Sequence, residues 1–472
     1  MKIAFLHYHL KPGGVTSVIR QQVHALEGED RLVVLSGEAP VGGAFPCPVQ
    51  IIPSLAYDGQ PQTDQPPAAT AERIEQALQR VFDGPCDLIH VHNPTLVKNR
   101  QILKVLGVLR ERGHPLFLQI HDFAEDGRPE AYDGDTPYPS DCHYGVINLR
   151  DASILLKAGF AAQGVHHLPN AIVPLATVPS GSAGGDVLYP VRAIRRKNIG
   201  EVCLLAVLQP KQARLMITLP PTSAADLPSY RDWKHYVAGR RLPVVFDAGV
   251  GCDFGRLMAR ARHVVSTSIA EGFGFVFLEP WTAGKCLWGR QLPEICQDFI
   301  DNGLDLDHLY TQLILPQAWI GSDVLQECFR RSYARNRRRF GAAAAGLPPP
   351  DDFLRRLQAS EWIDFGLLDE PLQRVVLEGL QRYPQRIALL HEANPILAAI
   401  GNRQWERSRL ARNCAAVRAH YGLASYRQGL RRVYGAVLHR PVAHRIDKSR
   451  ILNEFVKFNN YSLLKWNPYP DA

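Results

Sequence analysis

The sequence predicts an α/β protein of two Rossmann-like, doubly wound domains facing a cleft, with a helical C-terminal extension. Three observations predict it. Short β-branched apolar runs alternate with helical patterns through residues 2–170 and again through 186–300, as parallel strands joined by helical crossovers do. A Pro/Ser/Gly/Ala-rich stretch at 173–185 divides the two blocks and reads as a linker. Several apolar runs end in Gly, His or a cluster of cations, at the strand ends where open α/β sheets take their ligands. The expected boundaries are 1–175, a linker at 176–185, 186–440 with a helical insertion, and a helical tail at 441–472 that packs back on the first domain.

Taken in order, residues 2–8 form a strand, 11–14 a turn and 15–25 a helix; 32–35 and 49–52 are strands, 53–68 a surface loop and 71–82 a helix. Residues 86–93, 115–120 and 144–148 are further strands, and a helix follows at 150–157. The second block runs strand 186–192, helix 199–208, strand 213–219, helix 226–238, strand 242–247 and helix 255–261. It continues with strand 263–268, a helix from 275 to 281 and strand 284–289. Residues 352–379 and 405–438 look helical, and 452–466 carry aromatic and aliphatic residues at helical spacing.

The chain has 472 residues, 46% hydrophobic and 21% charged, which suits a globular protein of two or three domains. Its nine cysteines form no C-x-x-C pair and are odd in number, which favours free thiols in a reducing cytoplasm over a disulfide framework. Residues 1–6 read as a first strand rather than a leader, and no apolar run approaches a membrane span. The net charge of +8 is concentrated around 330–339 and 403–412. Those clusters read as solvated helix faces or, alternatively, as attraction to an anionic membrane face or phosphorylated acceptor. No zinc pattern or aromatic-interleaved basic motif points to nucleic acid.

The chemistry is concentrated in Glu271-Gly-Phe-Gly-Phe-Val-Phe-Leu-Glu279, directly after the 263–268 strand. Gly272 and Gly274 turn the backbone between a strand end and a helix start, where free N–H groups meet anions or hydroxyls. Two glutamates with seven residues between them, around a Gly-rich turn, resemble the signature of the retaining, nucleotide-sugar-dependent glycosyltransferases of family 4, which have the GT-B architecture. A second match lies upstream, where Arg192 is followed five positions later by Lys197 just beyond a strand; Arg195 and Arg196 could share that role. Further matches are Gly13-Gly14, His121-Asp122, Pro169-Asn170 and Pro293-Glu294.

The resemblance implies a hexosyltransferase in which the first domain serves the acceptor and the second binds the nucleotide sugar. Arg192 and Lys197 would offset the charge of the leaving diphosphate, so neither a metal ion nor a cofactor is expected. Glu279 would accept hydrogen bonds from the ribose hydroxyls. Glu271 would orient the donor sugar with the backbone N–H groups of Gly272, Phe273, Gly274 and Phe275. Gly13 and Gly14 would approach the donor phosphates, and His121 the sugar or acceptor. The acceptor is expected to be a hydroxyl compound of unassigned class. Two other readings keep the fold: a disaccharide phosphorylase that uses inorganic phosphate, and a non-catalytic nucleotide-sugar-binding protein.

Overall fold

Ile3 to Leu6, Val33 to Leu35 and Leu88 to Val91 are buried on both faces, as continuous aliphatic runs require when helices cover both sides of a parallel sheet. The structure, a computed structural model, describes residues 1–59, 64–175, 185–208, 213–399, 406–457 and 461–467. It divides into two units. Unit 1 comprises Met1–Ala171, Arg339–Gly346 and Tyr421–Val456; unit 2 comprises Ile172–Arg338, Leu347–His420 and the described residues after Val456. Most of the expected linker, residues 176–184, lies outside the described residues.

Unit 1 runs β1 (Lys2–His7), α1 (Gly14–Leu26), β2 (Arg31–Ser36), β3 (Val49–Ile51), α2 (Pro67–Phe82), β4 (Leu88–His92), α3 (Ile102–Glu111), β5 (Leu116–Ile120), β6 (His143–Val146), α4 (Leu149–Lys157) and β7 (Val165–His167). All seven strands are parallel, in the order β3-β2-β1-β4-β5-β6-β7. The order reverses between β1 and β4, which opens a crevice at their carboxyl ends. Helix α3 is absent from the sequence reading. Its buried Ile102, Leu103, Val105, Leu106 and Leu109 nonetheless follow helical spacing.

Unit 2 repeats the plan with β8 (Val187–Arg192), α5 (Ile199–Leu208), β9 (Leu215–Leu219), α6 (Leu227–Arg240), β10 (Val244–Val245), α7 (Phe254–Arg260), β11 (His263–Ser266), α8 (Glu279–Thr282), β12 (Leu287–Gly289) and α9 (Pro293–Asp301). Its five parallel strands are ordered β10-β9-β8-β11-β12, so the reversal falls between β8 and β11. The helix expected over 275–281 is instead a 3₁₀ turn, Phe275–Phe277, followed by the four-residue α8. Pro280 contributes to the break, because it has no N–H to donate to the Val276 carbonyl one turn back.

The helical insertion contains β13 (Ile314–Pro316), α10 (Ser322–Phe340), α11 (Asp351–Ala359), β14 (Trp362–Asp364), α12 (Glu370–Arg382), α13 (Gln385–Ala393) and α14 (Glu406–Tyr421). The continuous helix expected at 352–379 is therefore interrupted by β14, which pairs antiparallel with β13. The chain then forms α15 (Leu423–His439), α16 (Lys448–Phe455) and α17 (Leu463–Trp466). The return to unit 1 begins at Tyr421 rather than 441, because Tyr426, Leu430, Val433 and Tyr434 fill the core beside β1 and α1. The expected tail is also split. Ile451 and Phe455 of α16 enter the unit 1 core, whereas Tyr461 and Trp466 pack in unit 2 against Ser332 and Asn336.

Candidate active site

At the strand-order reversal of unit 2, the loops after β8 and β11 are tied together by hydrogen bonds onto the Arg196 and Lys197 carbonyls. After β8 the chain makes a 3₁₀ turn, Arg195–Lys197, and closes it on Asn198 in the left-handed region (φ 54°). Thr267 Oγ1 donates to the Lys197 carbonyl at 2.9 Å, Tyr189 Oη donates to the same oxygen at 2.8 Å, and the Ile269 N–H donates to the Arg196 carbonyl at 3.0 Å. The turn is thus fixed to the strand that leads into Glu271.

Within that frame Lys197 Nζ donates to Glu271 Oε1, with the two side chains only 12% and 8% exposed. Burial pushes the Glu271 carboxyl up, but Lys197 and Arg196 outweigh it and hold the group below its ordinary value. Burial also lowers the Lys197 ammonium against the pull of Glu271. The cation expected to meet the diphosphate is therefore held by the carboxylate expected to meet the sugar, so a bound anion would have to share or take over Lys197. Arg196, on which the sequence reading was undecided, belongs to this charge cluster. Arg195 does not: it is buried, donates to the Asn467 carbonyl at 2.8 Å and lies 3.4 Å from Glu370. Arg192 is half-buried and reaches the Pro220 carbonyl at 3.4 Å.

Gly274 takes φ 90°, and a Cβ there would meet Phe277 Cδ2 at 2.8 Å, so glycine is required on both counts. The Phe273 and Phe275 rings pack edge to face at 5.0 Å and brace the loop. Glu279 opens α8, and among the described residues its carboxylate has no hydrogen-bond or ion-pair partner. Burial alone raises its pKa to about 7. A half-buried carboxylate without a protein partner is poised to accept hydrogen bonds from a ligand. Because the folded pKa lies above the unfolded one, the stability linked to Glu279 is present below about pH 4.5 and lost as pH rises through about 7. Glu279→Gln is therefore expected to raise the stability of the ligand-free protein by about 1–3 kcal/mol at pH 8 and by little at pH 5. Thermal melts at the two pH values check this; an equal shift at both would rule out the unpaired-carboxylate reading.

In unit 1, His121 stands just past β5 at 6% exposure. Its backbone N–H donates to Asn93 Oδ1 at 2.6 Å, and its Nε2 lies 2.9 Å from His92 Nδ1. Burial holds His121 down to about 4, against the pull of Asp122, and lowers His7 to about 3. His121 is thus a neutral imidazole, one nitrogen already committed to His92, able to hydrogen-bond a hydroxyl but a weak proton acceptor. Asn93, in the left-handed region at φ 52°, orients it; the polar strand end His90-Val-His92-Asn93 marks this place in the sequence without singling Asn93 out. Gly13 is extended at φ 177° and Gly14 has open space at its Cβ, so neither is demanded by backbone conformation. Both are exposed and leave the start of α1 uncovered.

Two Asp-x-Asp triplets, 133–135 and 305–307, occur outside these clusters. Asp305 is engaged by Arg409 at 3.1 Å and Arg412 at 3.2 Å, and Asp133 caps its own turn through the N–H groups of Asp135 and Thr136. Among the described residues no group of three or more His, Cys, Asp or Glu side chains could hold a metal ion.

Solved structures with a similar fold include Anabaena HepE in complex with UDP-glucose, at TM-score 0.54 and 15% identity, covering 92% of this chain and 98% of that one. Sucrose-phosphate synthase of Thermosynechococcus elongatus superimposes with TM-score 0.53 at 15% identity and the same coverage. The fold is that of the GT-B glycosyltransferases. In sequence, the chain is 26% identical over 332 residues to mannosylglucosyl-3-phosphoglycerate synthase of Petrotoga mobilis. That match spans 62% of this chain and 65% of the relative's length. No family model matches the chain. Among the described residues no helix is long and apolar enough to cross a membrane.

Proposed function

We propose that this protein is a retaining glycosyltransferase of the family 4 type that moves a hexosyl unit from a nucleotide sugar to a hydroxyl acceptor without a metal ion. The observation that carries the reading is the Lys197–Glu271 pair with Arg196, at the strand reversal of unit 2 and close in sequence to Glu279, whose carboxylate has no partner among the described residues. Lys197 and Arg196 supply positive charge for a leaving diphosphate, the electrostatic term that dominates such transfers. Arg192 adds to it from the end of β8. Glu279 accepts from the ribose hydroxyls. Glu271, released from part of its hold on Lys197, accepts from the donor sugar, and the N–H groups of Gly272 to Phe275 line the turn. Unit 1 is assigned to the acceptor, where neutral His121 offers a ring nitrogen to a hydroxyl.

The stereochemistry follows from what His121 lacks. Inversion needs a general base opposite the leaving group, and His121, held to about 4 and bonded to His92, is poorly suited to take that proton. Attack then comes from the face of the departing phosphate, which itself accepts the acceptor proton. UDP-glucose and GDP-mannose are the first donors to screen, since HepE is complexed with the former and the Petrotoga relative's name contains both hexosyl units. A stabilising thermal shift with one donor is expected. With that donor, proton NMR of the first-formed product is expected to show the donor's own anomeric configuration. A β-linked product from an α-linked donor would overturn retention, and phosphate-dependent turnover without any nucleotide would overturn the transferase reading.

A further inference from the structure

Unit 1 contains a cavity of about 1280 Å³ to which no role has been given. It exceeds the roughly 300–1,000 Å³ of ordinary small-molecule pockets, so its natural occupant is extended. Its wall is assembled from four stretches distant in sequence: the outer face of α3, the loop 129–141, residues 339–343 and the start of α16. None of His121, Gly13 and Gly14 lines it, nor does any residue of the charge cluster in unit 2.

The chemistry of the wall narrows the occupant. Four cations, Lys104, Arg110, Arg339 and Lys448, stand against three carboxylates, Asp135, Asp141 and Asp447. Most of those cations are already engaged: Arg110 with Asp141, Arg339 with Glu130 at 3.3 Å, and Lys448 with the carbonyls of Asp133 and Thr136. That balance disfavours a polyanion. The charges, with the hydroxyls of Thr136, Ser140 and Ser449, equally disfavour an acyl chain. Aromatic surface is present at Tyr132, which is half-buried, while Tyr138 and Phe340 are buried beside it and hold it in place. Lys448 Nζ sits 4.4 Å from the Tyr138 ring and 5.1 Å from that of Tyr132, and Tyr132 meets Phe340 edge to face at 5.5 Å. Behind the wall, Tyr138 Oη donates to Oε1 of the fully buried Glu125 at 3.0 Å, while Glu125 Oε2 has no partner among the described residues. The half-buried Tyr132 ring for the C–H face of a pyranose, beside hydroxyls and paired charges for O–H groups, forms a surface matched to an uncharged polyol chain.

We propose that this cavity is a carbohydrate-binding site that holds an uncharged oligosaccharide on unit 1. The proposal does not depend on the donor chemistry of unit 2, and each can fail without the other. Gly107 gives the decisive variant. It lies in the middle of α3, lines the cavity, and a Cβ there would meet nothing within 4 Å. Gly107→Gln therefore favours the helix while its side chain enters the space. Tyr132→Ala removes a half-buried ring from the opposite wall.

The test is calorimetric titration of the full chain with maltohexaose, cellohexaose and mannohexaose. At least one is expected to bind with a millimolar or tighter Kd, and both variants are expected to weaken it about tenfold or more. The thermal shift given by UDP-glucose or GDP-mannose is expected to stay the same in both. Binding of none of the three hexasaccharides would overturn the site, as would binding that Gly107→Gln leaves intact, or binding displaced by free UDP. A protein dimer lost in Gly107→Gln would instead make the cavity an interface between copies.

Discussion

Lys197→Met is expected to cost most of the affinity for a nucleoside diphosphate and, separately, to destabilise unit 2. Charged contacts of this kind are worth about 1.5–3 kcal/mol each, so UDP or GDP affinity should fall at least tenfold; adding Arg192→Ala should lower it further. The stability effect has a different origin. Lys197 and Glu271 are 12% and 8% exposed, and removing one partner of a buried pair leaves a charge uncompensated, typically a loss of about 3–5 kcal/mol. Arg196 remains beside Glu271 and places the expected loss at the lower end.

The sign with pH separates the two effects. Without Lys197, burial, the largest influence on Glu271, is opposed only by Arg196 and Ser268, and its folded pKa is expected to rise above the unfolded value. Stability is then retained at low pH and lost as pH rises through the new value. Melting temperatures of Lys197→Met should therefore lie closer to wild type at pH 5 than at pH 8, and Lys197→Met with Glu271→Gln should recover most of the difference. Unchanged nucleotide affinity in the Lys197 variant would remove this site from the donor reading, whatever happens to stability.

Arg290→Met should be the most destabilising single change in unit 2. Arg290 follows β12, is 4% exposed, and bridges two buried carboxylates. Its Nε and Nη2 donate to Glu201 at 3.0 and 2.6 Å, and its Nη1 and Nη2 donate to Asp364 at 2.8 Å each. Tyr310 Oη donates to Glu201 at 2.8 Å, and the Leu313 N–H to Asp364 at 2.9 Å. Burial raises the Glu201 carboxyl even with the guanidinium in place, so without Arg290 it would ionise only at a heavy cost. The expected loss is about 4 kcal/mol or more, roughly 10 °C in melting temperature for a domain of this size. Arg290→Met combined with Glu201→Gln and Asp364→Asn should be far milder, because no unpaired charge then stays buried. A fall of only a few degrees in the single variant would mean that the network is better solvated than its geometry indicates.

Several elements could be read from local sequence because local physics makes them. Runs such as Ile3 to Leu6 must be covered on both faces, and the helical spacing of α1 follows from one buried stripe. The residues of the unit 2 site were legible too, since Lys197 and Glu271 each follow a strand that the pattern identifies. Their mutual engagement was not, because the pair is 74 residues apart and nothing near either residue specifies the other. The same holds for Asp364, which stands in a stretch of helical appearance. It becomes β14 because pairing with β13 and the bond to Arg290 outweigh local propensity. Helix α15 offers the clearest case. Its stripe of Tyr426, Leu430, Val433 and Tyr434 announces that one face is buried, but only the tertiary structure decides that the face closes on α1 and β1, some 400 residues earlier, where Tyr426 Oη accepts from Gln22. Local sequence decides which surfaces must leave water; which partner covers them depends on shape and hydrogen-bond complementarity that exists only once the distant segments have come together.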